Sequence, residues 1–435
     1  MSYSAYITKI KNVRKHSNAD RLNIGECFGS QVIIDLNTKE DDLGVYFPSD
    51  GQLGLEYCEV NNLVRKKDEN GKNIGGYLDP DKRNIRALKL RKEISDGLFM
   101  PLSSLEKFTD ISKLSEGDKI DILGGVEICK KYVPKKNNTQ NHNKKNKPKK
   151  IKTITYPNFE EHIDTNQLMY NLKDFKKDDI CYITLKMHGT SGRTSYTIKN
   201  EKKYYNPISK FFRKVFKKRV YNNRKSYEYI SGTRRVVLDD YSGGYYGSNE
   251  FRLKHHNKFI DKLHKGETVY YEIVGYHSED SPIMGRVDNK KTQDKDFIKK
   301  YGKTTTYSYG CEDGESDIYI YRMTFTNEDG YTVDYPWDMV KTRAEQMGMK
   351  FTPELDRFIY KDTDDLLERV KKHCDGVDPI GRNHIREGVV VRIEGKERFK
   401  AYKHKNFFFK VLEGIIKDAG VLDIEEQESI KNNDN

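Results

Sequence analysis

The sequence predicts an α+β protein built from a small antiparallel β-barrel and a larger domain of antiparallel sheets with helices between the strands. Three observations carry this. Residues 1–128 break into short apolar-alternating runs separated by turn residues, residues 129–153 form a lysine- and asparagine-rich stretch, and residues 154–412 alternate strand-like runs ending on charged groups with helical segments. At 435 residues the chain is long enough for two or three domains with real cores.

In the first part, strands are expected at Tyr6–Ile10, Leu22–Phe28, Gln31–Leu36, Leu43–Phe47, Ile85–Leu90 and Lys119–Ile122, with Asn-Ala-Asp, Phe-Gly-Ser, Pro-Ser-Asp-Gly and Glu-Gly-Asp as turns. A five-stranded barrel of the OB type fits this length, either as a single-strand-binding module or as a folded appendage. From Lys130 to Lys152 there are ten lysines and no acidic residue, with prolines at 134 and 148. Self-repulsion and the lack of apolar residues make this a linker, read as a solvated tether or as an arm that tracks phosphates. Beyond it, strands are expected at Ile180–Leu185, Tyr229–Ser231, Val269–Val274, Ile318–Phe325 and Gly388–Ile393, and helices at Phe251–His264, Pro336–Gln346 and Thr363–His373. Lys210–Val220 places Phe212, Val215 and Phe216 on one helical face, which suits a packed surface helix better than a membrane-surface one. Residues 413–435 read as a tail.

Composition narrows the partners. A net charge of +12 with 11% aromatic residues points to a polyanion whose bases can stack. The six cysteines show no C-x-x-C spacing, which argues against a zinc ribbon or a disulfide framework and for a reducing, intracellular compartment. No apolar run approaches the roughly 20 residues of a membrane span, and the first ten residues lack a signal-peptide core, so no membrane partner is expected.

The richest stretch is Lys186-Met187-His188-Gly189, a lysine at the end of an apolar-alternating run followed by a glycine turn. Alone it is a weak signal. An ordered set follows it: Ser231-Gly232-Thr233-Arg234, Tyr270 to Gly275 around Glu272, Tyr319-Ile320-Tyr321-Arg322, Glu387-Gly388-Val389-Val390-Val391-Arg392, and Lys400 to Lys405. Together they supply a nucleophile, two acids, aromatic surface and several cations, the inventory needed by a lysine that attacks a nucleoside triphosphate.

These blocks, in this order, resemble the covalent nucleotidyltransferase superfamily of RNA ligases, DNA ligases and capping enzymes. The RNA ligase 5 family is the nearest likeness, on the histidine form Lys186-Met187-His188-Gly189-Thr190-Ser191 and on an OB-like module placed before the catalytic domain. The resemblance implies a ligase domain over 154–412, ATP as co-substrate and Mg2+ or Mn2+ as metal. It makes Lys186 the lysine that becomes lysyl-AMP, a role in which the ordinary pKa near 10.4 must be lowered. It makes Glu387 the metal-binding carboxylate, Glu272 the contact to ribose hydroxyls, and Lys403 and Lys405 the phosphate-holding pair. Alternation puts those two lysines on one strand face and Lys400 on the other. By the same resemblance Arg193 and Arg234 contact the nucleotide or a 5′-phosphate end, with Arg235 hard to separate from Arg234. Tyr321 stacks on adenine, with Tyr319 as runner-up. His188 and Gly189 complete the nucleotide loop, His188 by bonding ribose or phosphate or by ordering the turn.

The chain departs from many relatives in carrying Thr184-Leu185 where an acidic residue before the lysine reads the adenine amino group. The implied activity is joining an RNA 3′-OH end to a 5′-phosphate end, expected at nicks in a duplex and by a monomer. A DNA ligase, another covalent nucleotidyltransferase such as a guanylyltransferase, and a non-catalytic RNA-binding protein on the same scaffold stay open as alternatives.

Overall fold

The computed structural model describes residues 3–134, 154–204 and 221–419. It is a mixed α+β structure, and nearly all of its strand pairs are antiparallel. Two compact units divide the chain: one holds residues 1–137, 287–303 and 405–422, the other 138–286, 304–404 and 423–435.

In the first unit, strands form where the apolar alternation placed them, at Ala5–Lys9, Asn23–Cys27, Ser30–Ile34 and Leu43–Phe47. Sequence reading missed others, among them Gly51–Leu53, Glu93–Asp96 and Leu98–Pro101, which are too short to show a period. Ala5, Ile7, Val45, Phe47 and Ile120 point inward onto one core with Tyr57 and Leu105. The closed barrel expected here is not formed among the described residues. Its strands are shared out over separate sheets, a four-stranded one (Leu98–Pro101, Leu43–Phe47, Ala5–Lys9, Lys119–Ile120) and two three-stranded ones being the largest.

Two segment limits also move. Cys129–Lys131, assigned to the linker by its lysines, is a strand that pairs with Gly51–Leu53 because Cys129 is buried in the core. The helix Phe407–Asp418, divided in sequence between the ligase domain and the tail, belongs wholly to the first unit. Asn406 caps it, its Oδ1 accepting from the N–H groups of Phe408 and Phe409. Within that unit Lys410 pairs with Asp96 at 2.5 Å and Lys417 with Asp50 at 2.6 Å, while Phe408 stacks on Phe297. The rest of the expected linker and the segment Lys210–Val220 lie outside the described residues.

The second unit is built on two sheets. One has five strands in the order Asn166–Gln167, Lys400–Lys405, Gly388–Ile393, Ile180–Lys186, Glu354–Ile359. Its first face is covered by the helix Thr363–Cys374, whose buried Leu366, Val370 and Cys374 recur every four residues. Asp362 caps that helix, and acids in its first turn and bases in its last oppose the helix dipole. Cys181, Ile183, Val389, Val391, Ile393 and Tyr402 meet it in one core. The period of two then sends Thr184, Lys186, Val390, Arg392 and Lys403 to the opposite face.

The other sheet contains the long strands Thr190–Tyr204, Tyr221–Gly232, Glu267–Ser278 and Ser316–Thr326. The helix expected at Phe251–His264 is shorter, Glu250–Asn257, and those at Trp337–Gln346 and Thr363–Cys374 form close to the predicted limits. None of the six cysteines is in a disulfide, and no described helix is long and apolar enough to cross a membrane.

Candidate active site

The chain leaves the five-stranded sheet at Lys186 and enters the other at Thr190, so the turn Met187–Gly189 bridges the two sheets. Between them lies a cavity of about 100 Å³ lined by Thr184, Leu185, Lys186, Ser191, Arg234, Glu272, Tyr321, Arg392 and Lys403, together with His162, Thr165, Thr352 and Phe399. Five of the side chains singled out in the sequence are therefore brought together: Lys186, Arg234, Glu272, Tyr321 and Lys403.

Lys186 Nζ lies 2.7 Å from Glu387 Oε1. The lysine side chain keeps 21% of its exposure and the carboxylate only 3%, so the amine faces the cavity while its acidic partner is embedded behind it. Strand register explains the pairing. Lys186 stands opposite Gly388, which puts Glu387 one residue beyond the ladder where its carboxylate can turn toward the amine.

Gly189 is demanded by space. A Cβ there would sit 2.3 Å from Ile273 O and 3.0 Å from Glu272 Cγ, so only glycine lets the turn press against the Glu272 strand. His188 orders the same turn. Its N–H donates to Tyr309 Oη at 2.6 Å, its ring meets Tyr307 edge-to-face at 4.8 Å, and its Nδ1 is 3.9 Å from Glu387 Oε2. Burial, with the Asp378 and Glu387 carboxylates nearby, pushes the Tyr309 phenol well above its usual pKa, so it remains a neutral hydroxyl that accepts the His188 N–H.

Glu272 is half-buried, opposite Ser191 on one neighbouring strand and Tyr319 on the other. Tyr321 reaches the cavity because the ladder bulges there: Tyr270 pairs with Arg322 and Tyr271 with Ile320, leaving Tyr321 as the extra residue. Its hydroxyl meets His162 Nδ1 at 3.1 Å. Tyr319, the runner-up, is buried under the Lys350 ammonium and does not line the cavity. Arg234 donates from Nε to Asp164 Oδ1 at 3.0 Å, and Arg235 from Nη2 to Asp164 Oδ2 at 3.1 Å. Burial opposes ionisation of Asp164, but the two guanidiniums outweigh it and hold the carboxyl below its usual pKa.

Two expected site residues have other work. Arg193, 1% exposed, does not line the cavity: Nε donates to Thr233 O at 2.9 Å, Nη1 to Phe159 O at 3.3 Å and to Glu160 O, and the guanidinium lies 4.1 Å from the Phe159 ring centre. It ties the segment around residue 160 to the sheet. Lys405 donates to both Glu413 oxygens, at 3.0 and 2.8 Å, at the entrance to the capped helix, and of the expected lysine pair Lys403 alone lines the cavity. Lys400 is on the other face, 3.7 Å from Asp174 Oδ2, as alternation predicted.

Sequence reasoning missed His162, Thr352 and Phe399 as lining residues. None sits in a motif, and each arrives through tertiary packing. Phe399 could have been suspected only from its neighbours in space: the Arg322 and Arg392 guanidiniums lie 5.4 and 5.1 Å from its ring centre.

Among the described residues no group of three or more His, Cys, Asp or Glu side chains could hold a metal by itself. Glu387, the carboxylate the resemblance assigns to a metal, offers hard oxygen donors of the kind that suit Mg2+ or Mn2+, with Oε1 2.7 Å from Lys186 Nζ.

No family model and no curated protein matches the sequence. Solved structures do. Naegleria gruberi RNA ligase, as a variant with ATP and Mn, superimposes with a TM-score of 0.55 at 15% identity over 94% of this chain and 98% of that one. A second variant with ATP and Mn gives 0.57 at 16% over 93% and 98%, and a third with AMP and Mn gives 0.56 at 15% over 93% and 97%. At such identity the likeness is one of fold. It gives the chain a fold like that of this RNA ligase, and it does not single out the RNA ligase 5 family.

Proposed function

We propose that this chain is an ATP-dependent RNA ligase that works through a lysyl-AMP intermediate on Lys186. The observation that supports it best is Lys186, held at 2.7 Å by the Glu387 carboxylate behind it, in a cavity that also presents Glu272, Tyr321, Arg234 and Lys403. The resemblance of the sequence blocks and the fold shared with an RNA ligase solved with ATP and Mn support it further.

In this reading Lys186 Nζ attacks the α-phosphate, an N–P bond forms and pyrophosphate leaves. Nζ loses its proton before it attacks, and Glu387 Oε1 at 2.7 Å holds the amine in place at the cavity. Tyr321 offers a face for the base and Glu272 an acceptor for ribose hydroxyls. Lys403 and Arg234 place positive charge around the phosphates, where most of the catalysis of a phosphoryl transfer arises. A divalent metal held by Glu387 would add charge neutralisation of the triphosphate. AMP then passes to a 5′-phosphate end, and a 3′-OH displaces it to close the phosphodiester, with nicked duplexes as the proposed substrate.

The test is incubation with radiolabelled ATP and Mg2+ or Mn2+, followed by denaturing electrophoresis. Label on the wild-type protein and none on Lys186→Ala is expected, and label that persists on the variant removes the mechanism. Preference for GTP would move the assignment to capping, and equal sealing of all-DNA nicks to DNA ligation. Salt-sensitive RNA binding without any adduct would leave a binding protein on a ligase scaffold.

A further inference from the structure

A tyrosine behind the lysine turn is held where bulky side chains rarely go. Tyr309 has φ +52° and Gly310 φ +77°, and Cys311 N–H donates to Ser308 O at 3.0 Å, so the two form the centre of a tight turn with both residues in the left-handed region. Asparagine or glycine is usual at the first of these places, because a Cβ there crowds the following carbonyl oxygen. A conformation of that kind persists only where its surroundings fix it, and it points to a task that the residue performs. Tyr309 is 3% exposed, so the task lies inside the protein.

The turn delivers a phenol to the chain beside the nucleophile. Residues 187–189 lie outside both ladders, and the His188 N–H among them donates to Tyr309 Oη at 2.6 Å. The Tyr309 ring is braced in turn. It meets the His384 imidazole at 4.8 Å, and His384 also lies 4.8 Å from the Tyr307 ring, which meets His188 edge-to-face. His384 is fully buried, its Nδ1 donates to Ile385 O at 3.0 Å, and a Cβ on Gly381 would stand 2.1 Å from its Nε2, so the loop closes on the ring with no room to give. Asp378 Oδ1 fastens that loop by accepting from the N–H groups of Ile380 and Gly381, at 2.8 and 2.9 Å. Three residues on from His384 stands Glu387. The turn after Lys186 and the approach to Glu387 therefore rest on one buried cluster.

We propose that Tyr309 is a positioning residue for the nucleophile: its phenol oxygen, delivered by a strained turn and braced by His384, holds the turn after Lys186 so that the amine keeps its place beside Glu387. This rests on the nucleotidyl-transfer reading above. Tyr309 does not line the cavity, so its effect passes through His188 and falls on the rate of the lysine's reaction, not on nucleotide binding.

The experiment compares wild type with Tyr309→Phe, which keeps the ring and its packing and removes only Oη. The first readout is amide hydrogen exchange without nucleotide. Exchange at His188 is expected to be about tenfold faster in the variant, while Leu185, whose N–H donates to Pro353 O at 2.9 Å, is unchanged. The second readout is adduct formation with ATP and Mn2+, followed by intact mass. Its rate at saturating ATP should fall on the order of 10- to 100-fold, with the half-saturating ATP concentration within twofold of wild type. An unchanged His188 exchange, an unchanged saturated rate, or a loss that appears on half-saturation instead would overturn the assignment. Faster exchange at Leu185 as well would make Tyr309 an ordinary core residue and overturn it too. Wild type that forms no adduct would overturn the parent reading and the role in catalysis with it, and the exchange result, which needs no nucleotide, tells that failure from failure of the brace.

Discussion

Gly189→Ala isolates the geometric demand of the lysine turn. The added Cβ would stand 2.3 Å from Ile273 O and 2.9 Å from Val274 Cγ1, both on the strand that carries Glu272. Relief to an ordinary contact near 3.4 Å requires a shift of roughly 1 Å, and because the obstacle is a backbone carbonyl in a paired strand, the turn must move instead of the obstacle. Gly189 is three residues from Lys186 and next to His188, whose N–H is held by Tyr309. Such a displacement reaches the amine and its 2.7 Å contact with Glu387. A misplacement of about 1 Å at a reacting group lowers rates on the order of 100-fold, whereas overpacking costs about 1–3 kcal/mol of stability. The assay is the rate of ATP-dependent labelling at saturating nucleotide, run beside a denaturant melt. A folded variant labelled at the wild-type rate would refute the idea that the glycine is there for close approach.

Three further outcomes follow from the same geometry. Arg193→Lys should lower stability by about 3 kcal/mol, because an ammonium cannot reproduce the fork to Thr233, Phe159 and Glu160, while the ATP concentration for half-maximal labelling stays within twofold; a large rise in that concentration with unchanged stability would restore Arg193 to the nucleotide. Burial lowers the His255 pKa from 6.5 to about 3, so the unfolded chain takes up a proton that the folded one refuses. Stability from this group is full above about pH 6.5 and is lost as pH falls toward 3, at up to about 1.4 kcal/mol per unit. Burial also lowers the pKa of His256, adding to the slope. Denaturant melts from pH 7 to 5 should show the decline, and His255→Gln, which retains a polar group toward Ser316 Oγ, should flatten it; an unchanged slope would mean that this histidine is not held neutral.

Much of the site could be read before any coordinates. Lys186 at the end of an apolar-alternating run and Lys403 on the strand face opposite Lys400 follow from the period of two, which fixes side-chain direction as soon as a strand is recognised. The same rule failed at the Tyr319–Arg322 block, because a bulge is a property of the pairing with the neighbouring strand and leaves no period in one strand alone. It also could not distinguish Lys403 from Lys405: what takes Lys405 away is Glu413, on a helix whose docking is a tertiary matter.

By itself, then, the order of residues determined the mixed α+β class and several strands of the second unit, Ile180–Lys186, Glu267–Ser278, Ser316–Thr326 and Gly388–Ile393 among them, since these depend on local periodicity, while Thr190–Tyr204 and Glu354–Ile359 went unread. Packing decided the remainder. Whether Arg193 faces a ligand or three carbonyls, and whether the first strands close into a barrel or divide among sheets, turns on contacts between residues far apart in sequence. Those contacts are chosen by shape and by hydrogen-bond satisfaction over the whole core, which no window of neighbouring residues contains.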